Sequence, residues 1–158
     1  LIISQAVMEY LPDLEAAYAE QHEWLRPGGW ISHQIDLSAH ETAATWNGHW
    51  AIRAPLWEVL RRTRSTLINR QPFSGHTSAM EETGFTLLMA VRSLDRWGVP
   101  RERLAPGFRG LSQEDRQVRG AWLMARKANP EIAPGGCSEA DGTEVQWTRA
   151  GESILVVR

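Results

Sequence analysis

The chain has 158 residues, of which 42% are apolar and 23% charged, with a formal charge of -2 at pH 7. That length suits one domain with a buried core, and the charge balance gives no reason to expect a nucleic-acid or anionic-membrane surface. With no run of about 18 apolar residues, no membrane-spanning segment is expected, and with no visible signal peptide and a single cysteine, Cys137, a cytoplasmic location is expected.

Two compositional features stand out. Lys127 is the only lysine among 17 basic residues, and the chain holds 8 tryptophans. Trp46, Trp50 and Trp57 crowd one stretch. Tryptophan usually packs in a core with its N–H satisfied, and its other common use is the wall of a ligand pocket.

The elements follow in chain order. Leu1 to Ser4 is a short apolar run, rich in β-branched residues, that reads as a strand buried on both faces. Pro12 opens a helix, with Asp13 and Glu15 at its positive end. Leu14, Ala17, Tyr18, Trp24 and Leu25 fall at helical spacing, and Pro27-Gly28-Gly29 stops the helix. Trp30 to Leu37 reads as a second strand. Strand, helix and strand in this order form a βαβ unit, whose strands are parallel and whose crossover is right-handed. Ligands of open α/β sheets bind beyond the carboxyl ends of such strands. Those ends carry Ser4, Gln5 and Ala6 on one strand and Asp36, Leu37 and Ser38 on the other. The polar groups there either face one crevice or merely cap strands and turns.

The segment from Leu1 to Leu11, with Val7-Met8-Glu9-Tyr10 after the strand, followed by a helix and then Leu25-Arg26-Pro27-Gly28-Gly29, resembles class I S-adenosylmethionine-dependent methyltransferases. In that family a helix ending in Leu-(Lys/Arg)-Pro-Gly-Gly feeds the fifth strand. The strand at Leu1 would then be the family's fourth, and the chain would resemble only the C-terminal half of the fold, truncated at its N-terminus. The family's glycine-rich cofactor loop and its ribose-binding acid have no match here. Gly28-Gly29 ends a helix rather than opening one. On this resemblance Ser4, Gln5 and Ala6 border the methionine moiety of S-adenosylmethionine, and Asp36 sits near the transferred methyl group.

Residues 38–53 read as loop with short helical pieces, followed by a helix from about Pro55 to Leu60 or beyond. The resemblance places substrate-binding residues in this region. Trp46, His49 and Trp50 could supply the aromatic wall and polar groups of a small-molecule pocket, or form a satisfied surface loop. Asp36 and His40 can act as an acid/base pair or orient a substrate. His33, Asp36 and His40 have metal-ligand chemistry, but no standard ligand spacing, and His33 and Asp36 point to opposite faces of their strand, so no metal site is expected. Asn69-Arg70 resembles a pair found before the last helix of some small-molecule methyltransferases. Arg70 could hold a substrate carboxylate or phosphate, or pair with a local carboxylate.

Ser78 to Glu81 has a capping-box pattern, which predicts a helix start there and an end at Gly84. Phe85 to Val91 reads as a strand, residues 93–110 as loop, and Ser112 as the cap of a helix through about Arg119. Ala121 to Arg126 reads as a further strand. On the resemblance it is antiparallel and inserts between the family's strands five and six. Beyond Pro130 the segment Pro134 to Gly142 is linker-like, and Glu144 to Thr148 with Ser153 to Val157 suits a hairpin.

The expected fold is therefore α/β, the C-terminal part of a Rossmann-like sheet of parallel strands plus a final antiparallel strand. Residues 1–129 form the partial domain, with a substrate-side insertion at about 38–78, and residues 130–158 a tail. The expected reaction is methyl transfer from S-adenosylmethionine to a small-molecule acceptor, with no nucleic-acid or membrane partner. The rival readings are a non-enzymatic α/β interaction module and a His/Asp metalloenzyme.

Overall fold

The computed structural model describes residues 1–64, 66–129, 145–149 and 152–157. The linker reading of Pro134 to Gly142 and the thiol of Cys137 lie outside the described residues. Strand β1 spans Ile2–Gln5, helix α1 Leu14–Trp24 and strand β2 Trp30–Asp36. β1 and β2 pair in parallel, Ile2 opposite Ile31 and Gln5 opposite Gln34. Helix α1 begins two residues later than Pro12 suggested. Asp13 is its N-cap, and the Asp13 side chain accepts the Ala16 amide at 3.0 Å. At the other end the single lysine is engaged: Lys127 Nζ donates to the carbonyls of His22 at 2.6 Å and Leu25 at 3.0 Å. A cation there satisfies orphan carbonyls and suits the negative end of the helix dipole. Gly28, at φ 75°, makes the turn that follows.

Helix α2 spans Ala54–Thr63, and only Trp57 of it is buried. Helix α3 spans Phe73–Glu82, so Ser78 lies inside it and does not begin it. The start is fixed from a distance. Asp115 accepts the Ser74 amide and the Ser74 hydroxyl, both at 2.9 Å, and supplies the cap that the local sequence lacks. Strand β3 spans Phe85–Leu94 and β4 Val118–Lys127. The helix expected over 112–119 does not form. Ser112 Oγ accepts the Asp115 amide at 3.0 Å in a single turn, and from Val118 the backbone joins the sheet ladder. The capping pattern is local, and strand pairing outweighs it. Strands β5 (Val145–Arg149) and β6 (Glu152–Val157) are antiparallel to each other, and β6 pairs with β3.

The sheet order is β1-β2-β4-β3-β6-β5. β4 is antiparallel to both β2 and β3, so it sits between two strands that run the same way as β1. This mixed α/β arrangement has the inserted antiparallel strand that the resemblance implied. It goes on past β3 with two further strands, so β4 is not the last. One face of the sheet packs on α1 and α3 through Tyr18, Ile31, Ile35, Met80, Leu123 and Ala125. On the other face Ile3 is 69% exposed and Trp122 46% exposed. The expectation that the first strand is buried on both faces fails for this reason: β1 is an edge strand covered on one side. A second small core gathers Trp46, Trp50 and Leu104 with Val99, Phe108 and Leu111. Among the described residues no helix is long and apolar enough to cross a membrane.

Candidate functional site

The parallel strands β1 and β2 end side by side. After Gln5 the chain turns at Ala6, whose φ of 51° is left-handed, and the Ala6 amide donates to Gln34 O at 2.9 Å. A left-handed alanine costs roughly 1–2 kcal/mol, and such conformations cluster at functional sites. Gln5, Ala6, Gln34, Asp36, Arg119 and Trp122 line a cleft of about 490 Å³ that opens here onto the uncovered sheet face. Ser4 does not reach it. Its hydroxyl is 2.7 Å from His33 Nδ1, and His33 Nε2 is 2.7 Å from Gln21 Oε1, in the core beneath the sheet. Gln21 Oε1 can only accept, so His33 carries its proton on Nε2 and Ser4 donates to Nδ1. Strand alternation turns Ser4 toward His33 and Gln5 toward the cleft, so of the three expected cofactor contacts the cleft brings together Gln5 and Ala6.

A 3-10 turn at Met8–Tyr10 follows. Asn69 clamps it: Asn69 Nδ2 donates to Met8 O at 2.8 Å and Leu11 O at 2.9 Å, and the Asn69 amide to Glu9 O at 2.6 Å. The Asn69 side chain is thus engaged with backbone, and it positions the turn. The turn carries two residues that the sequence reading left out. Glu9 is 2% exposed, and neither carboxylate oxygen has a hydrogen-bond partner. Burial raises its pKa above the ordinary value, His40 pulls it down and Asp36 pushes it up. Tyr10 OH lies 3.0 Å from His40 Nδ1. Burial raises the phenol's pKa, and the carboxylates of Glu9, Asp36 and Glu41 raise it further, so Tyr10 stays neutral.

On its other side His40 Nε2 lies 3.3 Å from Asp36 O and 3.6 Å from Asp36 Oδ2. Asp36 Oδ1 accepts the Ser38 amide at 2.9 Å. Asp36 and His40, predicted as a pair, are therefore brought together, and Tyr10 extends the pair to three groups. A proton on His40 Nε2 faces Asp36, which leaves Nδ1 to accept from Tyr10. His40 and Glu41 both have left-handed backbone, at φ 42° and 64°. The signal that could have found Glu9 and Tyr10 was positional, since they directly follow the carboxyl end of a parallel strand.

The remaining candidates, Trp46, His49, Trp50 and Arg70, are buried. Trp50 is wholly buried, and its indole N–H donates to Arg70 O at 2.9 Å. His49 is buried beside it, and burial, aided by the Arg70 charge, lowers its pKa to about 3. Trp46 is buried too, but borders a cavity of about 500 Å³ with His40, Asp95, Trp97 and Arg119. Arg70 donates from Nη2 to Ile52 O at 2.7 Å, and its guanidinium lies 4.4 Å from the Trp57 ring and 4.3 Å from Phe108. Burial lowers its pKa to about 10. Among the described residues no carboxylate pairs with it. The guanidinium lies over two aromatic rings, where a local carboxylate was the alternative expectation. Among the described residues no three His, Cys, Asp or Glu side chains converge as a metal site.

No protein-family model matches the sequence, and no curated protein is significantly similar to it. Solved structures do align. A Listeria monocytogenes protein, assigned provisionally as an S-adenosylmethionine-dependent methyltransferase, aligns at TM-score 0.46 and 15% identity, over 80% of this chain and 60% of its own. A Bordetella parapertussis protein described as a possible exported protein aligns at TM-score 0.39 and 18% identity, over 80% of this chain and 38% of its own. The chain thus spans less than two thirds of either structure.

Proposed function

We propose that the chain forms the strand-four-onward part of a class I methyltransferase and contributes the methionine end of an S-adenosylmethionine site. The observation that carries this reading is the cleft at the carboxyl ends of β1 and β2, where Gln5, Ala6 and Asp36 meet on a sheet with β4 inserted antiparallel. The donor set fits that end of the cofactor. Asp36 offers a carboxylate to an ammonium group, Arg119 a guanidinium to a carboxylate, and the glutamines amide groups. The residues that would hold adenine and ribose are not among these. The cofactor, when bound, supplies the methyl group. The chain's own residues bind and orient it, and His40, between Asp36 and Tyr10, can take the proton that an acceptor oxygen or nitrogen gives up.

Calorimetric titration of S-adenosylmethionine into the full-length gene product tests this. Saturable one-to-one binding that weakens about tenfold in Asp36→Ala supports it. No heat at millimolar cofactor overturns it.

The exposed Ile3 and Trp122 on the open sheet face favour a second reading, an interaction module without catalysis. Concentration-dependent self-association or partner capture through that face, with no cofactor binding, would be its signature.

A further inference from the structure

A second pocket, of about 280 Å³, is bounded by Tyr10, His40, Glu41, Thr42, Arg64 and Thr66. Its size suits a small metabolite and not a polymer. Two opposite charges line it, Glu41 and Arg64. They do not form an ion pair with each other, and among the described residues neither has another ion-pair partner. Opposite charges that share one small pocket without neutralising each other are complementary to a ligand that carries both signs. The phenol, imidazole and two hydroxyls between them add hydrogen-bonding groups of either polarity.

We propose that this pocket binds a small zwitterion, a molecule with an ammonium and a carboxylate group, and that it is the acceptor subsite. Arg64 holds the carboxylate and Glu41 the ammonium. The second half of the proposal rests on the methyltransferase reading, because His40 is what joins this pocket to the Asp36 side of the cleft. The occupant then lies against the Tyr10–His40 pair, where its nucleophilic group can give up a proton.

The test uses three probes on one carbon chain: γ-aminobutyrate carries both charges, butyrate only the negative one and butylamine only the positive one. Amide NMR spectra are followed as each is titrated into the full chain without cofactor. γ-Aminobutyrate is expected to shift the Thr42, Thr66 and Ile68 signals and to bind about fivefold tighter than either single-charge analogue. Arg64→Gln is expected to reduce its affinity to that of butylamine, and Glu41→Gln to that of butyrate, with Arg64→Lys intermediate. Both side chains are exposed, so thermal melts of the variants should match the parent. Equal binding of all three probes, shifts confined to other regions, or no shifts up to about 50 mM would overturn the site. Because no cofactor is present, a positive result stands even if the cofactor titration fails. Cofactor binding without a zwitterion preference removes this site and leaves the methyltransferase reading intact.

Discussion

The Asp36 carboxylate divides its two oxygens between two tasks. Oδ1 accepts the Ser38 amide at 2.9 Å and fixes the turn, while Oδ2 lies 3.6 Å from His40 Nε2. That pair is the seam between the strand-end cleft, which Asp36 lines, and the pocket lined by His40. Since His40 Nδ1 is also 3.0 Å from Tyr10 OH, a carboxylate, an imidazole and a phenol stand in line.

If that line handles a proton, Asp36→Asn and His40→Gln should each lower kcat by about 100-fold, the low end of what a general base supplies. Tyr10→Phe should fall between these variants and the parent. Steady-state methyl transfer to an identified acceptor is the measurement, with cofactor KM as the control: His40→Gln should leave it unchanged. Parent-like kcat in His40→Gln would remove the imidazole from the chemistry.

Asn69→Ala should destabilise the protein by about 1–3 kcal/mol, because two carbonyls and one amide lose their partner together. Asn69→Asp keeps the acceptor for the Gln71 amide and loses both donors, so it should be no better. Urea unfolding at constant m measures this.

Acid should weaken the fold between pH 6.5 and 4. Burial lowers the folded pKa of His33 to about 4, and of His49 and His76 to about 3. In that window the unfolded chain binds protons at these histidines and the folded chain does not. Stability is therefore present above pH 6.5 and is lost on acidification, by about 1.4 kcal/mol per pH unit for each histidine at full effect. His33→Gln should flatten the pH dependence by about one proton. A parent slope near zero over this window would contradict the buried neutral state.

Glu9 works in the opposite direction. Its raised pKa means that the folded state favours the protonated acid, so stability falls as pH rises through the folded value. Glu9→Gln mimics the neutral form. It should raise Tm at pH 8 and leave it nearly unchanged at pH 4. An equal shift at both values would show that charge is not the cause.

Asp115→Ala should cost about 1–2 kcal/mol by uncapping α3 at Ser74 and loosening the Ser112 turn. Amide exchange should quicken first in residues 73–77, which distinguishes a lost cap from general destabilisation.

Local patterning already determined the element order of the first forty residues. Pro12 and the Pro27-Gly28-Gly29 stop bracketed α1, and a helix between two apolar runs implied the parallel pairing of β1 and β2. The strand from Ala121 to Arg126 was legible in the same way, from its period and composition. These features depend on contacts between near neighbours in sequence, or on chirality that every βαβ unit shares. What depended on distant partners was not legible. Ser78-x-x-Glu81 and Ser112 both looked like helix starts, but α3 is capped by Asp115, 41 residues beyond Ser74, and the Ser112 turn gives way to β4. Asn69 and Arg70 were substrate candidates on the family resemblance, and an amide and a guanidinium are the same groups wherever they point. Only the packed fold engaged the one with the Met8–Leu11 turn and sandwiched the other between Trp57 and Phe108. For the same reason Glu9 and Tyr10 counted only as part of the family-like segment, and Arg64 was not singled out. Sequence named Asp36 and His40 from the chemistry of strand ends. The tertiary structure decided which other groups face them, because that depends on loops closing over long separations, and nothing in local propensity encodes it.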